Sequence, residues 1–120
     1  MNWQVLYTDE VQAWLDALSK DQRDAFFARV TLLQQHGPNL GRPVVDTVKG
    51  SAYQNMKELR LSKSGSLRVL FIFDPLRRAI ILLGGDKTGQ WQEWYRIAIP
   101  AADALYASYL SNLRKEGRIP

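Results

Sequence analysis

The chain has 120 residues, a net charge of +4 and 46% hydrophobic residues, with one histidine and no cysteine. This length suits a single domain over residues 1–120 with its own hydrophobic core. The cysteine and histidine counts exclude disulfides, thiolate nucleophiles and a multi-histidine metal site, so we expect no bound metal.

The N-terminal segment and the apolar runs indicate where the protein acts. The first ten residues lack the basic and apolar regions of a secretory signal. The longest apolar run, residues 79–83, is far shorter than the roughly 20 residues of a membrane helix. We therefore expect a cytoplasmic protein that makes no membrane contact.

Positive charge is concentrated in the C-terminal part of the chain. Residues 1–46 carry four Lys or Arg and six acids, whereas residues 47–120 carry twelve and six. A basic segment of this kind favours a polyanionic partner, nucleic acid above all. A solvated basic face explains the same charge equally well, so composition leaves both alternatives open.

The first third of the chain predicts a short strand followed by two helices. Residues 3–7 read WQVLY, which is typical of a strand. Apolar residues then recur at helical spacing over residues 11–18. Ser19 and Gln22 fit a capping box at the start of a second helix, which Gly37 ends. We expect the two helices to form a hairpin.

Three strand-like segments follow a surface connector at residues 39–54. They cover residues 55–62, 67–73 and 79–83, and the last two are apolar on both faces. Central strands covered from both sides have this pattern. Turns are expected at residues 63–66 and at Asp74-Pro75, and the Gly84-Gly85 pair is expected to end the third strand.

The C-terminal segment supplies a cover for the second face of the sheet. Trp91, Trp94 and Tyr95 have helical spacing, and Pro100 suits the first turn of a further helix. The tryptophans either pack on the sheet, which we favour, or stack on unpaired bases. The expected fold class is α+β in the order β-α-α-β-β-β-α, with a mostly antiparallel sheet packed against the helical hairpin and a C-terminal helix.

Arg68 interrupts an apolar strand face. Alternation along the strand places it on the same face as Leu70 and Ile72. Arginine is rarely buried unless paired, so Arg68 either pairs with an acid such as Glu58 or lines a concavity that binds a ligand. The nearby GGDKTG lacks the spacing of a phosphate-binding P-loop, so we expect no nucleoside triphosphate.

The ordered segments KELR, LRVLFIFDP, LLGGDKTG, WY and IPAADALY together resemble toxins of the RelE/ParE superfamily, in the HigB-like branch related to phage-derived proteins. The resemblance implies a small curved sheet with a basic concave face. It also implies an mRNA interferase, which enters the ribosomal A site and cuts mRNA by attack of a ribose 2′-hydroxyl. The implied partners are the ribosome, mRNA and a cognate antitoxin, usually a helix-turn-helix DNA-binding protein, and no cofactor is implied.

The resemblance also implies site residues. Arg68 would stabilise the phosphorane, because a guanidinium binds phosphate oxygens in pairs. Arg60 and Lys57 would hold phosphates in the same cleft, and Tyr95 would stack or donate a proton. The predicted catalytic residues are Arg68, Lys57, Arg60 and Lys87, and the predicted RNA-binding residues are Asp86, Tyr95, Trp94 and Arg78. Because no histidine follows His36, the general acid and base are not identified.

Two other functions fit the same resemblance. ParE-like members of the superfamily inhibit DNA gyrase by binding it, without cutting RNA. The chain is alternatively an inactive domain that binds a partner or RNA, since a fold does not by itself determine function.

Overall fold

The computed structural model describes residues 2–61, 67–86, 88–89 and 91–120. Its elements follow the predicted α+β order, with one additional strand. The strands are β1 (Val5–Tyr7), β2 (Val45–Thr47), β3 (Lys57–Arg60), β4 (Leu67–Phe73) and β5 (Ala79–Asp86). The helices are α1 (Asp9–Asp16), α2 (Lys20–His36) and α3 (Trp91–Lys115), with a short 3₁₀ turn at Gly37–Asn39.

The five strands form one sheet in the order β1-β5-β4-β3-β2. The β1 and β5 strands are parallel, and every other neighbouring pair is antiparallel. The α1–α2 hairpin carries the chain from β1 at one edge of the sheet to β2 at the other edge. The two most apolar strands, β4 and β5, therefore lie inside the sheet, as their two apolar faces predict.

Each face of the sheet has its own hydrophobic core. The hairpin-side core joins α1 and α2 to the sheet through residues such as Phe26, Leu33, Leu59, Phe71 and Ile81. The α3-side core joins the C-terminal helix to the opposite face through residues such as Leu70, Ile72, Leu82, Ala102 and Tyr106. Each strand side chain therefore faces either the hairpin side or the α3 side of the sheet. Polar side chains come together only when they face the same side.

The α1–α2 hairpin forms as the sequence predicts. The Thr8 hydroxyl accepts a hydrogen bond from the Val11 amide at the start of α1. At the start of α2, the Ser19 hydroxyl accepts from the Gln22 amide, and the Gln22 side chain accepts from the Ser19 amide. Both sets of bonds satisfy helix-end donors that otherwise lack partners.

Two predicted boundaries in the middle of the chain were wrong. The segment predicted as a connector contains the edge strand β2, which pairs with β3 from Val45 opposite Leu59 to Thr47 opposite Lys57. Three residues are too few to show an alternating pattern. The β3 strand spans only Lys57–Arg60, and the predicted turn at residues 63–66 lies outside the described residues.

The C-terminal helix α3 runs without interruption through Pro100, although the sequence predicted a new helix starting there. A proline in a helix interior loses one backbone hydrogen bond. Here the apolar stripe that faces the sheet continues on both sides of it, through Ala98, Ile99 and Ala102. Packing of that stripe offsets the lost bond. Although α3 has 25 residues, no helix in the described part of the chain is long and apolar enough to cross a membrane.

The Gly84-Gly85 pair lies inside β5 and does not end it, contrary to the prediction. A Cβ on Gly84 would lie 2.6 Å from the Trp14 ring, and a Cβ on Gly85 would lie 2.1 Å from Trp94 Nε1. The two glycines therefore let one tryptophan from α1 and one from α3 pack directly on the backbone of opposite sheet faces. This close approach, and not a turn, explains the pair.

We expect Gly85→Ala to destabilise the protein by about 1–3 kcal/mol, because the added methyl group must displace the indole of Trp94. Urea unfolding followed by circular dichroism measures this loss. Gly41→Ala is the matched control, since a Cβ there meets nothing within 4 Å. Equal stability of the two variants would contradict the packing role of Gly85.

Candidate active site

Four polar side chains meet on the α3 side of the sheet, near the start of β4. They are Glu58 and Arg60 from β3, Arg68 from β4 and Tyr95 from α3, and we call them the Glu58 cluster. Arg60 and Arg68 are directly paired across the two strands. Because side chains alternate along a strand, Glu58 and Arg60 share one face.

The carboxylate of Glu58 is at the centre of this cluster. Glu58 is only 5% exposed. The Tyr95 hydroxyl donates to Glu58 Oε1, and Arg60 Nε donates to Glu58 Oε2 at 3.2 Å. Arg60 Nη2 also lies 3.2 Å from Asp46 Oδ2 on the edge strand β2. The buried carboxylate is thus held by one phenol and one guanidinium, as a buried charge requires.

The hydroxyl of Tyr95 lies between a carboxylate and a guanidinium. Burial, the hydrogen bond to Glu58 and the negative charge of Glu58 raise the pKa of Tyr95 to about 12. Arg68 partly opposes this rise through its positive charge and its hydrogen bond to the same side chain. Tyr95 is therefore a neutral phenol at neutral pH, and it retains a proton that it can donate.

An open pocket gives solvent access to the Glu58 cluster. It has a volume of about 240 Å³ and is lined by Thr47, Val48, Lys49, Glu58, Tyr95 and Ile99. The exposed Lys49 adds a positive charge to its wall. A pocket lined by a carboxylate, a phenol and a cation, with two guanidiniums nearby, suits a polyanionic substrate that undergoes proton transfer.

The structure brings three of the predicted site residues together, namely Arg60, Arg68 and Tyr95. Arg68 hydrogen-bonds to Tyr95, and Tyr95 in turn donates to Glu58, so the phenol links the guanidinium to the acid. The open pocket is lined by Glu58 and Tyr95. Arg68 is partly buried, and its Nη1 donates to the Leu67 carbonyl at 3.0 Å. This bond holds the Arg68 guanidinium against the backbone of β4.

Lys57 does not face the same cleft as Arg60, which corrects the sequence prediction. It pairs with Phe71, whose ring belongs to the hairpin-side core. Its ammonium lies 3.4 Å from Thr47 Oγ1 and lines a separate pocket of about 250 Å³. Arg60 comes three positions after Lys57, so alternation places them on opposite faces.

The loop after β5 is only partly described. Asp86 is paired with Leu67, which packs on the hairpin-side core, so alternation directs Asp86 away from Arg68. Its Oδ1 accepts hydrogen bonds from the amide and hydroxyl of Thr88. Lys87 lies outside the described residues, and its predicted role stays a prediction.

Trp94 and Arg78 occupy packing positions. Trp94 is half-buried against the α3-side core and lies over Gly85, in line with the favoured packing alternative. Arg78, predicted to bind RNA, is 8% exposed and pairs with the buried Asp74 at 2.9 Å, at the opposite end of β4. Its guanidinium also donates to the hydroxyl of Tyr109. This buried network ties the β4–β5 turn to α3, so Arg78 is not placed to meet RNA.

Sequence reasoning missed two features of this region. Glu58 was considered only as a partner for Arg68, although its spacing from Arg60 already placed the two on one face. Trp91 was expected to pack on the sheet, but it is 53% exposed. The first residues of α3 lie beyond the edge of the α3-side core. No local sequence pattern shows where that core ends.

The chain matches the family model "Phage derived protein Gp49-like" over residues 13–107. It is similar to two proteins of Mycobacterium tuberculosis, "Putative toxin HigB2" and "Putative toxin HigB3". The first is 45% identical over 105 residues, which are 86% of this chain and 52% of that protein. The second is 46% identical over 108 residues, or 90% of this chain and 94% of that protein. The chain therefore spans about half the length of the first relative and nearly all of the second.

Solved structures share the fold. The RelE–RelB complex of Pyrococcus horikoshii contains a chain that aligns with a TM-score of 0.60 at 20% identity, covering 74% of this chain and 99% of that one. A chain of the RelBE2 toxin–antitoxin complex of Mycobacterium tuberculosis aligns with a TM-score of 0.56 at 16% identity, covering 72% and 99%. At these identities the likeness shows the fold alone.

Proposed function

Since the chain belongs to the Gp49-like family of phage-derived proteins, in the HigB-like branch of the RelE/ParE superfamily, we propose that it is the toxin of a toxin–antitoxin pair that cuts mRNA on the ribosome. The observation that carries the proposal is the Glu58 cluster. A buried carboxylate, a neutral phenol and two guanidiniums share one face beside an open pocket. These groups can supply the base, the acid and the positive charge that cleavage of a phosphodiester uses.

The proposed reaction is attack of a ribose 2′-hydroxyl on the adjacent phosphorus. The 2′-oxygen forms a new bond to phosphorus, and the bond from phosphorus to the 5′-oxygen breaks. The products are a 2′,3′-cyclic phosphate and a free 5′-hydroxyl. Because DNA lacks the 2′-hydroxyl, this chemistry restricts the substrate to RNA.

Each residue of the cluster has a proposed role. Glu58 accepts the proton of the 2′-hydroxyl, and Tyr95 donates its proton to the leaving 5′-oxygen. Arg68, with Arg60 beside it, neutralises the charge that develops on the phosphate oxygens. The hydrogen bond from Tyr95 to Glu58 then closes the cycle. Through it, the proton that Glu58 has gained returns to the Tyr95 oxygen.

The proposed partners follow from the family and from this chemistry. Of the fold neighbours named above, one is a RelE–RelB complex and the other is a toxin–antitoxin complex. We expect a cognate antitoxin, usually a helix-turn-helix DNA-binding protein in this superfamily, to neutralise this chain. The ribosome and its mRNA are the proposed target, so we expect the chain to act in the cytoplasm.

The test is cleavage of a defined mRNA by the purified chain, with and without programmed ribosomes, followed by mapping of the new ends. We expect cuts in frame with the ribosomal A site, only when ribosomes are present, and products with 5′-hydroxyl ends. A message with 2′-deoxyribose at the cut position should resist. Intact mRNA with inhibited gyrase supercoiling would instead support a ParE-like toxin, and no effect in either assay would support a binding domain.

A further inference from the structure

We propose that Asp46, on the edge strand β2, is a positioning residue for the cleavage reaction, which acts through Arg60 to hold the Glu58 carboxylate in the orientation that accepts the 2′-hydroxyl proton. Asp46 itself does not contact the RNA in this arrangement. The inference rests on the proposed function. It adds to the Glu58 cluster an acid from a strand that the sequence did not predict.

The register of the sheet places Asp46 beside Glu58. The two residues are directly paired across β2 and β3. Directly paired side chains lie next to each other on one face of a sheet, and like charges in such a pair destabilise it. A second carboxylate at this position therefore needs a cation that both carboxylates contact.

Arg60 is a cation that contacts both carboxylates. Its Nε donates to Glu58 Oε2 at 3.2 Å, and its Nη2 lies 3.1 Å from the same oxygen. The Nη2 group also donates to Asp46 Oδ2 at 3.2 Å. A guanidinium is planar, so bonds to carboxylates on two different strands fix its plane. Glu58 Oε2 is fixed with it, and Glu58 Oε1 faces the Tyr95 hydroxyl.

The carboxylate of Asp46 is itself held from two other directions. Its Oδ1 lies 3.2 Å from Arg42 Nε and accepts a hydrogen bond from the Thr47 amide at 2.9 Å. The bond from Arg42, the bond from Thr47 and the charges of Arg42 and Arg60 hold the pKa of Asp46 below its usual range. Asp46 is therefore ionised at neutral pH, and its charge is available to Arg60.

The two ion pairs of Asp46 differ in their surroundings. The Arg42 side chain is 77% exposed, whereas that of Arg60 is 31% exposed and also contacts the buried Glu58. Exposed ion pairs contribute little to stability. The pair with Arg42 can therefore be removed as a control, while the pair with Arg60 leads to the reacting groups.

The test compares single-turnover cleavage rates on programmed ribosomes. Asp46→Asn removes the charge with little change in shape. We expect it to lower the rate at saturating protein about ten- to hundred-fold, because a small displacement of a reacting group is costly. The protein concentration that gives half of the maximal rate should not change, since Asp46 does not contact the RNA. Asp46→Glu, which keeps the charge, should recover part of the rate, and Arg42→Ala should cut at the wild-type rate.

Asp46 has an alternative role as a structural link between β2 and β3, and a second background separates the two roles. In Glu58→Gln, Asp46→Asn should cause no further loss, because its effect passes through the Glu58 carboxylate. A structural link would slow both backgrounds by the same factor. That result would overturn the inference, as would equal rates of Asp46→Asn and Arg42→Ala.

A second measurement does not depend on cleavage. In protein labelled with ¹⁵N-arginine, the Nε proton of Arg60 should exchange slowly with water in the wild type and in Arg42→Ala, and several-fold faster in Asp46→Asn. If the wild type does not cut mRNA and this difference occurs, the proposed function fails and the anchoring of Arg60 by Asp46 stands. Equal exchange in all three proteins would overturn the anchoring whether or not mRNA is cut.

Discussion

Arg68→Ala should lower ribosome-dependent cleavage by about a hundred- to a thousand-fold, because it removes the guanidinium proposed to bind the phosphate oxygens as negative charge develops on them. Arg60 lies directly opposite Arg68 in the sheet, but its guanidinium is held by Glu58 and Asp46, so we do not expect it to replace Arg68. The measurement is the single-turnover rate of cleavage on programmed ribosomes. Arrest of cell growth on expression should be lost in parallel.

Two further variants separate charge from geometry and from folding. Arg68→Lys keeps the charge without the two-pronged hydrogen bonding of a guanidinium, so its rate should lie between those of Arg68→Ala and the wild type. Lys20→Ala removes a cation from the start of α2, where the side chain is 82% exposed and pairs with Asp24. It should cut at the wild-type rate. Growth arrest by Arg68→Ala at matched expression would remove Arg68 from the mechanism.

The parts of the fold that the sequence predicted correctly are those encoded by local rules. The capping box at Ser19 and Gln22 placed the start of α2, and the apolar β4 segment gave a strand with the predicted bounds, Leu67–Phe73. Each of these signals acts within a few residues. The edge strand β2 was not predicted because three residues are too few to show an alternating pattern. The helix α3 continues through Pro100 because its packing on the sheet outweighs one lost hydrogen bond.

The candidate site was less predictable because it depends on which face each side chain takes. Arg60, Arg68 and Tyr95 were identified and meet, whereas Lys57, only three residues from Arg60, faces the other core. Gly84 and Gly85 have the composition of a turn, and only the tertiary structure shows that two tryptophans pack on them. Arg78 and Arg68 both lie on or beside apolar strands. No local sequence pattern shows that Arg78 forms a buried ion pair with Asp74 whereas Arg68 lies in the Glu58 cluster, beside the open pocket.

The proposed proton-transfer roles of Glu58 and Tyr95 predict a second large loss of cleavage rate. Tyr95→Phe and Glu58→Gln should each lower the cleavage rate by about a hundred- to ten-thousand-fold, since each removes one partner of a general acid–base pair. The double variant should be little worse than either single variant, because residues that act as one unit do not contribute additively. Single-turnover rates of all three variants measure this directly.

Tyr109→Phe provides a matched control for the loss of a hydroxyl. Tyr109 also donates to a carboxylate, that of Asp74, and burial raises its pKa above the usual value, but it lies at the far end of β4. Its loss should lower stability in the way that loss of the Tyr95 hydroxyl does, since each removes one of the donors to a buried carboxylate. It should not change the cleavage rate. If Tyr109→Phe and Tyr95→Phe lose equal activity, the effect is structural and Tyr95 is not the acid.

The dependence of the rate on pH tests whether Tyr95 stays protonated in the active protein. Tyr95 must be protonated to donate, and its pKa of about 12 keeps it protonated throughout the range in which ribosomes can be assayed. The wild-type rate should therefore show no alkaline decline up to about pH 9, well below that pKa. A decline centred below pH 9 that disappears in Tyr95→Phe would show that Tyr95 ionises far more readily than its buried contact with Glu58 permits. That result would exclude the proposed proton cycle.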